Sequence, residues 1–256
     1  MDGKNQFSIM KDPQNLNQRK VLVVGGGSGM GKAIAQAMNA LGASVAIAGR
    51  REDKLSEVAQ GAKGSPPILF KSADVTDRSS LDHLFQWFDR EIGSLDVLIH
   101  AAGINVAKRT MLELQEEDWD RLLKINLTGG YNCLRLALER MRPRGEGLVV
   151  LINSVAGKRS APLAGIGYNA SKFGLSALGI GVGEEERENG IRITNVYPGE
   201  VNTEILDQRT RPPSPEHRAS ILQPEDVASV VVNLTQLPNR AHIPELVIKP
   251  TRQSYL

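Results

Sequence analysis

Short apolar runs alternate with amphipathic helical stretches along nearly the whole of this 256-residue chain. The run Val21–Val24 is rich in β-branched residues, and Lys32–Leu41 then repeats its apolar residues at helical spacing. Further strands are predicted at 44–48, 68–70, 96–99, 147–152, 191–196 and 245–248, and further helices at 53–60, 79–92, 119–140 and 168–183. Uninterrupted apolar strands indicate burial on both faces of a sheet. The pattern therefore predicts one α/β domain, a doubly wound parallel sheet of about seven strands.

Two segments fall outside this alternation. Residues 1–18 are polar and lack the apolar stretch of a secretory signal, so we expect a flexible N-terminal tail before a domain over 19–256. Between 206 and 221 the chain carries Pro212, Pro213 and Pro215 among charged residues, which excludes a continuous helix. We expect a loop near 200–222 that faces the substrate.

Composition excludes several classes of partner. A net charge of +2 gives no bulk electrostatic case for nucleic acid, and no apolar stretch is long enough to span a bilayer. The single cysteine, Cys133, cannot form an intramolecular disulfide, which fits a reducing compartment. We therefore expect a cytoplasmic protein whose partner is a small molecule, without a metal site.

A glycine-rich segment follows the first predicted strand and opens the first helix. Residues 25–31 read Gly-Gly-Gly-Ser-Gly-Met-Gly. Glycines permit positive φ and close backbone approach, and the free N–H groups of a helix N-terminus attract a pyrophosphate. A glycine cluster alone also occurs in ordinary tight turns, but the position between a strand and a helix favours dinucleotide binding.

The end of the second strand indicates which dinucleotide. An acidic side chain there would hold the ribose hydroxyls of NAD, whereas this chain has Gly49 followed by Arg50 and Arg51. A guanidinium suits the 2′-phosphate of NADP and a carboxylate would repel it. The alternative is that both arginines are solvated surface charges. The pattern favours NADP(H), held by Arg50.

Three further residues form a candidate reactive group. Tyr168 and Lys172 are four residues apart on a predicted helix, so they share one face. A nearby ammonium stabilises a phenolate, and we expect Lys172 to lower the pKa of Tyr168. Ser154 follows the fifth strand at the carboxyl edge, where ligands bind in open α/β sheets. Each feature also arises by chance or in simple turns, but together they predict proton transfer at a substrate oxygen.

In these motifs the chain resembles the short-chain dehydrogenase/reductase family over about residues 19–250. The matching segments, in family order, are Gly25-x-x-x-Gly29-Met30-Gly31, Asp74-Val75, Ala101-Ala102-Gly103, Asn126, Ser154, Tyr168-Asn169-Ala170-Ser171-Lys172 and Pro198-Gly199. The resemblance implies a single-domain Rossmann fold and a hydride transfer between NADP(H) and a hydroxyl/carbonyl pair.

The resemblance also assigns roles. It implies that Tyr168 is the catalytic acid/base, that Ser154 orients and polarises the carbonyl, and that Lys172 holds the nicotinamide ribose. It implies that Asn126 kinks its helix and keeps a water between Lys172 and solvent, and that Asp74 binds the adenine amino group. The implied cofactor-binding set is Gly25, Gly27, Ser28, Gly29, Met30, Gly31, Arg50, Asp74, Val75, Ala101, Ala102, Gly103, Tyr168, Lys172, Pro198, Gly199, Val201 and Thr203.

Two positions depart from the family pattern. Val24 stands where the family has Thr, and His100 stands where it has Asn. Those residues hold two turns together, so the departures concern local rigidity rather than chemistry. His100 is either a ligand or acid/base, or a packed residue at the end of its strand, and we favour packing.

The substrate stays open at this level. The segment Ile243–Pro250 resembles a family branch that acts on small 3-hydroxy acids and related carbonyls, and a 3-oxoacyl-thioester reductase or a sugar-type dehydrogenase competes with it. A non-catalytic NADP-binding redox sensor or regulator is the alternative of a different class. The resemblance also implies a homo-oligomer, a tetramer or a dimer, built on small and apolar helix residues at Leu127, Leu134, Leu138, Ala177, Leu178 and Gly181.

Overall fold

One seven-stranded parallel sheet forms the centre of the computed structural model, which describes residues 15–254. The strands are β1 Lys20–Val24, β2 Ser44–Gly49, β3 Leu69–Ser72, β4 Val97–His100, β5 Gly147–Ile152, β6 Ile191–Pro198 and β7 Glu245–Ile248. Their spatial order is β3-β2-β1-β4-β5-β6-β7, and every neighbouring pair is parallel. The predicted doubly wound Rossmann fold is confirmed.

Helices cover both faces of the sheet. They are α1 Gly29–Ala40, α2 Glu52–Gln60, α3 Arg78–Glu91, α4 Glu116–Leu123, α5 Gly129–Met141, α6 Ile166–Glu185, α7 Pro215–Ser220 and α8 Pro224–Gln236. A π-helical segment, Lys124–Thr128, joins α4 to α5, and 3₁₀ turns lie at Val155–Gly157 and Glu204–Gln208, among others. Within residues 15–254, no helix combines the length and the apolar character needed to cross a bilayer.

The alternation of side chains along β1 explains the two layers. Val21 and Val23 pack with α1, α2 and α8 on one face, while Leu22 and Val24 pack with α3 and α5 on the other. All four are almost completely buried. Burying both faces of a strand requires residues that are apolar at every position, which the sequence supplies.

Two close turns define the carboxyl edge of the sheet. The order of strands reverses between β1 and β4, where open α/β sheets have their binding crevice. Gly25 follows β1 with φ +89°, and a Cβ there would lie 2.5 Å from the backbone nitrogen of Ala102. Only glycine therefore lets the turn after β1 contact the turn after β4.

Three local predictions need correction. The N-terminal tail was expected to extend to residue 18, and residues 1–14 lie outside the described residues. Leu16, however, is buried, and its amide donates to the carbonyl of Leu41 at 2.8 Å, so it packs with the domain. The predicted helix over 119–140 contains the π segment. Helix α8 was not predicted at all, although it packs along α1.

His100 ends β4 and is completely buried between Val24 and Leu151 of the neighbouring strands. Neither ring nitrogen has a hydrogen-bond partner among the described residues. Burial, assisted by the charge of Lys172, lowers the pKa of His100 to about 3. The imidazole is therefore neutral and packed at neutral pH, as the sequence analysis favoured.

We predict that this histidine makes the protein acid-sensitive. The unfolded chain binds a proton at an ordinary histidine pKa near 6.5, whereas the folded chain binds it only near pH 3. Stability should be fully present above pH 6.5 and should fall towards pH 3, with a slope approaching about 1.4 kcal/mol per pH unit. His100→Asn should remove this slope in urea unfolding followed between pH 7 and pH 4.

Exposed His83 supplies the matched control for that experiment. His83→Asn removes a histidine from the surface of α3 and should leave the pH dependence of the parent protein in place. A constant difference in unfolding free energy between the parent and His100→Asn at every pH would contradict the argument.

Candidate functional site

A cleft of about 370 Å³ opens at the carboxyl edge, above the crevice between β1 and β4. Its walls are the glycine-rich turn, the ends of β2, β3 and β4, and the start of the loop after β6. It brings together most of the predicted cofactor residues: Gly25, Gly27, Ser28, Gly29, Met30, Gly31, Arg50, Asp74, Val75, Ala101, Ala102, Gly103 and Thr203.

Five predicted cofactor-binding residues do not line this cleft: Tyr168 and Lys172, which are described below, and Pro198, Gly199 and Val201. Pro198 is the buried last residue of β6, and Gly199 packs against Lys249, Pro250 and Gln253. Val201 is buried and forms a bridge with Leu222. Their backbone lies beside the wall that Thr203 provides, and their assignment to cofactor binding stays a prediction.

The glycine-rich turn has the shape that a pyrophosphate requires. A Cβ on Gly31 would lie 2.2 Å from the carbonyl oxygen of Gly25, so the turn closes tightly on itself. Helix α1 begins at Gly29, and its first turn contains no acidic residue. That turn therefore offers free N–H groups and the positive end of the helix dipole to the cleft, and it carries no carboxylate of its own. These features fit a bound dinucleotide.

Two arginines, Arg50 and Arg51, follow the end of β2, and their side chains make different contacts. Arg50 lines the cleft with an exposed side chain. Arg51, to which the sequence analysis gave no role of its own, also lines it and donates to Ser28 Oγ at 3.0 Å. Arg51 further pairs with Glu204 at 3.3 Å, and both side chains are more than half exposed. Arg51 therefore joins the glycine-rich turn to the opposite wall.

Tyr168, Lys172 and Ser154 meet beside this cleft. Tyr168 lies in the first turn of α6, and its hydroxyl forms a hydrogen bond with Ser154. Ser154 Oγ also accepts from the amide of Ala156 at 3.1 Å, which fixes its position. Buried Lys172 lies one turn further along α6, with Nζ 5.7 Å from the centre of the Tyr168 ring. That ammonium donates to the carbonyl of Ile152 at 3.1 Å.

Asn126 ties the surroundings of this group together from within the π segment. Its amide nitrogen donates to the carbonyl of Ile104 and to Ser171 Oγ, both at 3.0 Å, and its oxygen accepts from the amide of Ile104 at 2.8 Å. Ser171 Oγ in turn donates to the carbonyl of Tyr168 at 2.8 Å. Completely buried Asn126 thus links the loop after β4 to the catalytic turn of α6.

The pKa shift of Tyr168 differs from the one predicted from the sequence. Burial raises the pKa of Tyr168, and the groups that lower it are the Ser154 hydroxyl and the Arg109 guanidinium. Lys172, which was expected to lower the pKa of Tyr168, is not among the groups that shift it. Burial lowers the pKa of Lys172 itself to about 8. Without cofactor, Tyr168 therefore keeps its proton at neutral pH.

Arg109 is the residue near this group that sequence reasoning missed. It lies in the loop after β4, is half-buried, and its charge acts on Tyr168. No motif marks it, because its neighbourhood arises from loops that are distant in sequence. Among the described residues, no group of three or more metal-ligating side chains comes together.

Comparisons with known sequences agree on one protein family. The sequence model of the short chain dehydrogenase family matches residues 19–213. Glycine betaine reductase ATRR of Emericella nidulans is 33% identical over 249 residues, which are 94% of this chain but 19% of that protein. An uncharacterized oxidoreductase of Staphylococcus aureus is 30% identical over 236 residues, which cover 92% of this chain and 98% of the relative.

Solved structures share the same architecture. The alcohol dehydrogenase from the archaeon Thermococcus sibiricus, complexed with 5-hydroxy-NADP, superimposes with a TM-score of 0.82 at 26% identity. That match covers 92% of this chain and 98% of the other. The closed form of a serine dehydrogenase complexed with NADP⁺ gives a TM-score of 0.83 at 26% identity, over 92% of this chain and 96% of the other.

Proposed function

This chain belongs to the short-chain dehydrogenase family, and we propose that it is an NADP(H)-dependent oxidoreductase acting on a small hydroxyl or carbonyl substrate. The observation that carries the proposal is the meeting of Tyr168, Ser154 and Lys172 beside the cleft that the glycine-rich turn borders. A protein that only bound the cofactor would not need a serine–tyrosine hydrogen bond beside it.

In the proposed reduction of a carbonyl, Tyr168 and Ser154 have different roles. Bound NADPH supplies the hydride that the carbonyl carbon of the substrate receives. Tyr168 gives its hydroxyl proton to the carbonyl oxygen, and Ser154 donates a hydrogen bond to the same oxygen as negative charge develops there. The product is an alcohol, and the phenolate regains its proton from solvent. Oxidation reverses each transfer.

Lys172 and Asn126 have supporting roles in this proposal. The resemblance assigns Lys172 to the nicotinamide ribose, and its ammonium is already held near Tyr168 by the carbonyl of Ile152. Asn126 keeps the loop after β4 fixed to α6 through Ile104 and Ser171. Both residues preserve the geometry in which the phenol and the serine meet one oxygen atom.

The names of two similar structures support a small-molecule substrate. One similar structure is an alcohol dehydrogenase and another is a serine dehydrogenase. Serine is a 3-hydroxy acid, which agrees with the branch that the C-terminal segment resembles. We therefore propose a small 3-hydroxy acid or the corresponding 3-oxoacyl compound. Location in a reducing compartment such as the cytoplasm agrees with the single cysteine, which is buried.

Two arginines support NADP over NAD. Arg50 and Arg51 both line the cleft at the end of β2, where a carboxylate would bind the ribose of NAD. The 2′-phosphate can replace Glu204 as the partner of Arg51, so binding exchanges one anion for another.

We also propose that the protein forms a homo-oligomer, a dimer or a tetramer. Its interface differs in part from the residues that the sequence analysis named. Leu134 is buried in the core of its own chain and is wrong as an interface residue. Phe173, Ala177, Ile180 and Gly181 instead form an exposed apolar face on α6 at helical spacing. A second copy related by a two-fold axis can cover this face.

We predict that Tyr168→Phe lowers turnover at least a hundredfold on a carbonyl substrate found by screening NADPH oxidation. The change keeps the ring and removes only the phenolic hydroxyl, so NADPH affinity should stay within about threefold. In the parent protein, the rate of reduction should fall as pH rises past about 8, because buried Lys172 then loses the charge with which it would hold the nicotinamide ribose.

Near-normal turnover in Tyr168→Phe would contradict the assignment. Tight NADPH binding with no turnover on any carbonyl would favour a non-catalytic NADP-binding sensor instead. Steady-state rates and a fluorescence titration of NADPH, made on the same preparations, distinguish these outcomes.

We predict that Arg50→Gln and Arg51→Gln each weaken NADPH binding about tenfold and leave NADH binding nearly unchanged, because each loses a contact with the 2′-phosphate. Lys54→Gln is the matched control, since Lys54 lies on α2 and pairs with Glu57 rather than lining the cleft. Calorimetric titration at low and high salt measures both cofactors. Equal affinity of the parent for NADPH and NADH would refute the argument.

We predict that the parent protein is a dimer or tetramer at micromolar concentration and that Phe173→Glu reduces its mass towards the 27.8 kDa monomer. The control Leu112→Glu adds the same charge at a fully exposed apolar residue away from α6 and should leave the mass unchanged. Light scattering after size-exclusion chromatography gives the masses. A parent protein that elutes only as a monomer would exclude the oligomer.

A further inference from the structure

Arg109 holds together three segments that surround the catalytic tyrosine. Its guanidinium donates to the carbonyl of Val106 in its own loop, to that of Leu163 before α6 at 3.1 Å, and to that of Gln208 in the loop after β6 at 3.4 Å. The last of these segments lies in the loop near 200–222 that the sequence analysis assigned to the substrate. The cation therefore joins that loop to the segment that leads into α6.

The backbone fixes this arginine next to the start of α6. The carbonyl of Arg109 accepts from the amide of Ile166 at 3.1 Å. Gly165, with φ +87°, packs so closely that a Cβ on it would lie 2.5 Å from the Cβ of Arg109. Tyr168 follows three residues later, and the guanidinium is near enough to lower the pKa of the phenol.

Arg109 has no carboxylate partner among residues 15–254. A guanidinium carries five N–H groups, and the three backbone carbonyls occupy three of them. The neighbouring Arg209 is already paired with Glu200 at 2.6 Å, and His217 contacts the other oxygen of that carboxylate at 2.8 Å. The cluster therefore keeps one uncompensated positive charge beside Tyr168.

We propose that Arg109 binds the carboxylate of the substrate, so that the enzyme acts on short oxo and hydroxy acids. The proposal rests on the proposed oxidoreductase function. The free N–H groups of a half-buried guanidinium match the two oxygens of a carboxylate, and the backbone contacts hold the fork in place before the substrate arrives. Ser154 and Tyr168 bind the carbonyl oxygen, and Arg109 binds the other end of the same molecule.

This arrangement selects by charge as well as by position. A half-buried cation without a partner favours an anionic ligand over its neutral ester, because the ester offers no charge to offset the cost of burying the guanidinium. The neighbouring residue Lys108 is exposed to solvent, so its charge is screened and should contribute little to this selection.

The test compares each acid with its own methyl ester. With NADPH, the parent protein should reduce short oxo acids at a higher kcat/KM than their methyl esters. Arg109→Gln should lower the acid-to-ester ratio of kcat/KM at least tenfold, and Arg109→Lys should lower it less. The matched control Lys108→Gln, which removes one positive charge from the same loop, should keep the parent ratio.

The acid-to-ester ratio of kcat/KM distinguishes binding of the substrate carboxylate by Arg109 from a purely structural role of Arg109. If Arg109 only braces the three loops, Arg109→Gln lowers the rates for acid and ester alike, and the unchanged ratio overturns the proposal. A parent protein that reduces esters as well as acids overturns it too. Reduction of neutral carbonyls alone would leave the oxidoreductase function intact while refuting the role of Arg109.

A binding experiment keeps the inference testable without turnover. Calorimetry of 3-hydroxybutanoate with NADP⁺-saturated protein should give binding that Arg109→Gln weakens at least tenfold and Lys108→Gln leaves unchanged. Such binding without any turnover would support the carboxylate site and refute the proposed catalysis. Absence of binding to the parent protein would refute the site.

Discussion

The contact between the turn after β1 and the turn after β4 is the constraint on which the cleft depends. The backbone of Gly25 approaches Ala101 and Ala102 so closely that no side chain fits between them. This contact occurs at the reversal of strand order, where the helices leave the sheet in opposite directions. The glycine-rich turn, the arginines after β2 and the loop after β4 can face one another only because these two turns meet.

Local sequence patterns determined much of this arrangement. The apolar run Val21–Val24 and the glycines after it carry information about their own backbone, so the first strand and its turn could be predicted. The four-residue spacing of Tyr168 and Lys172 defines a helix face wherever that helix lies. Helix α8 also carried a signal, since Pro224 occupies its first turn and Gln223 and Asp226 form a capping box.

Other features depend on contacts between distant segments and had no such pattern. Arg109 is one charged residue among many in the sequence, and only the folded loops bring it beside Tyr168. Arg51 gains its place from Ser28 and Glu204, which lie on opposite walls of the cleft. The pKa of Tyr168 is raised because the side chain is buried, and burial could not be predicted from the four-residue spacing of Tyr168 and Lys172.

The π segment Lys124–Thr128 acts as a one-residue insertion in an otherwise continuous helix. Each residue of an α-helix turns the next by about 100°. Winding the same residues as regular α-helix, with none deleted, would rotate the whole of α5 against α4 by about that angle. Leu134 would then leave the core, and charged neighbours such as Arg135 would turn towards the sheet. The π turn that holds Asn126 thus also sets the phase of the helix that follows it, so site and core cannot vary independently.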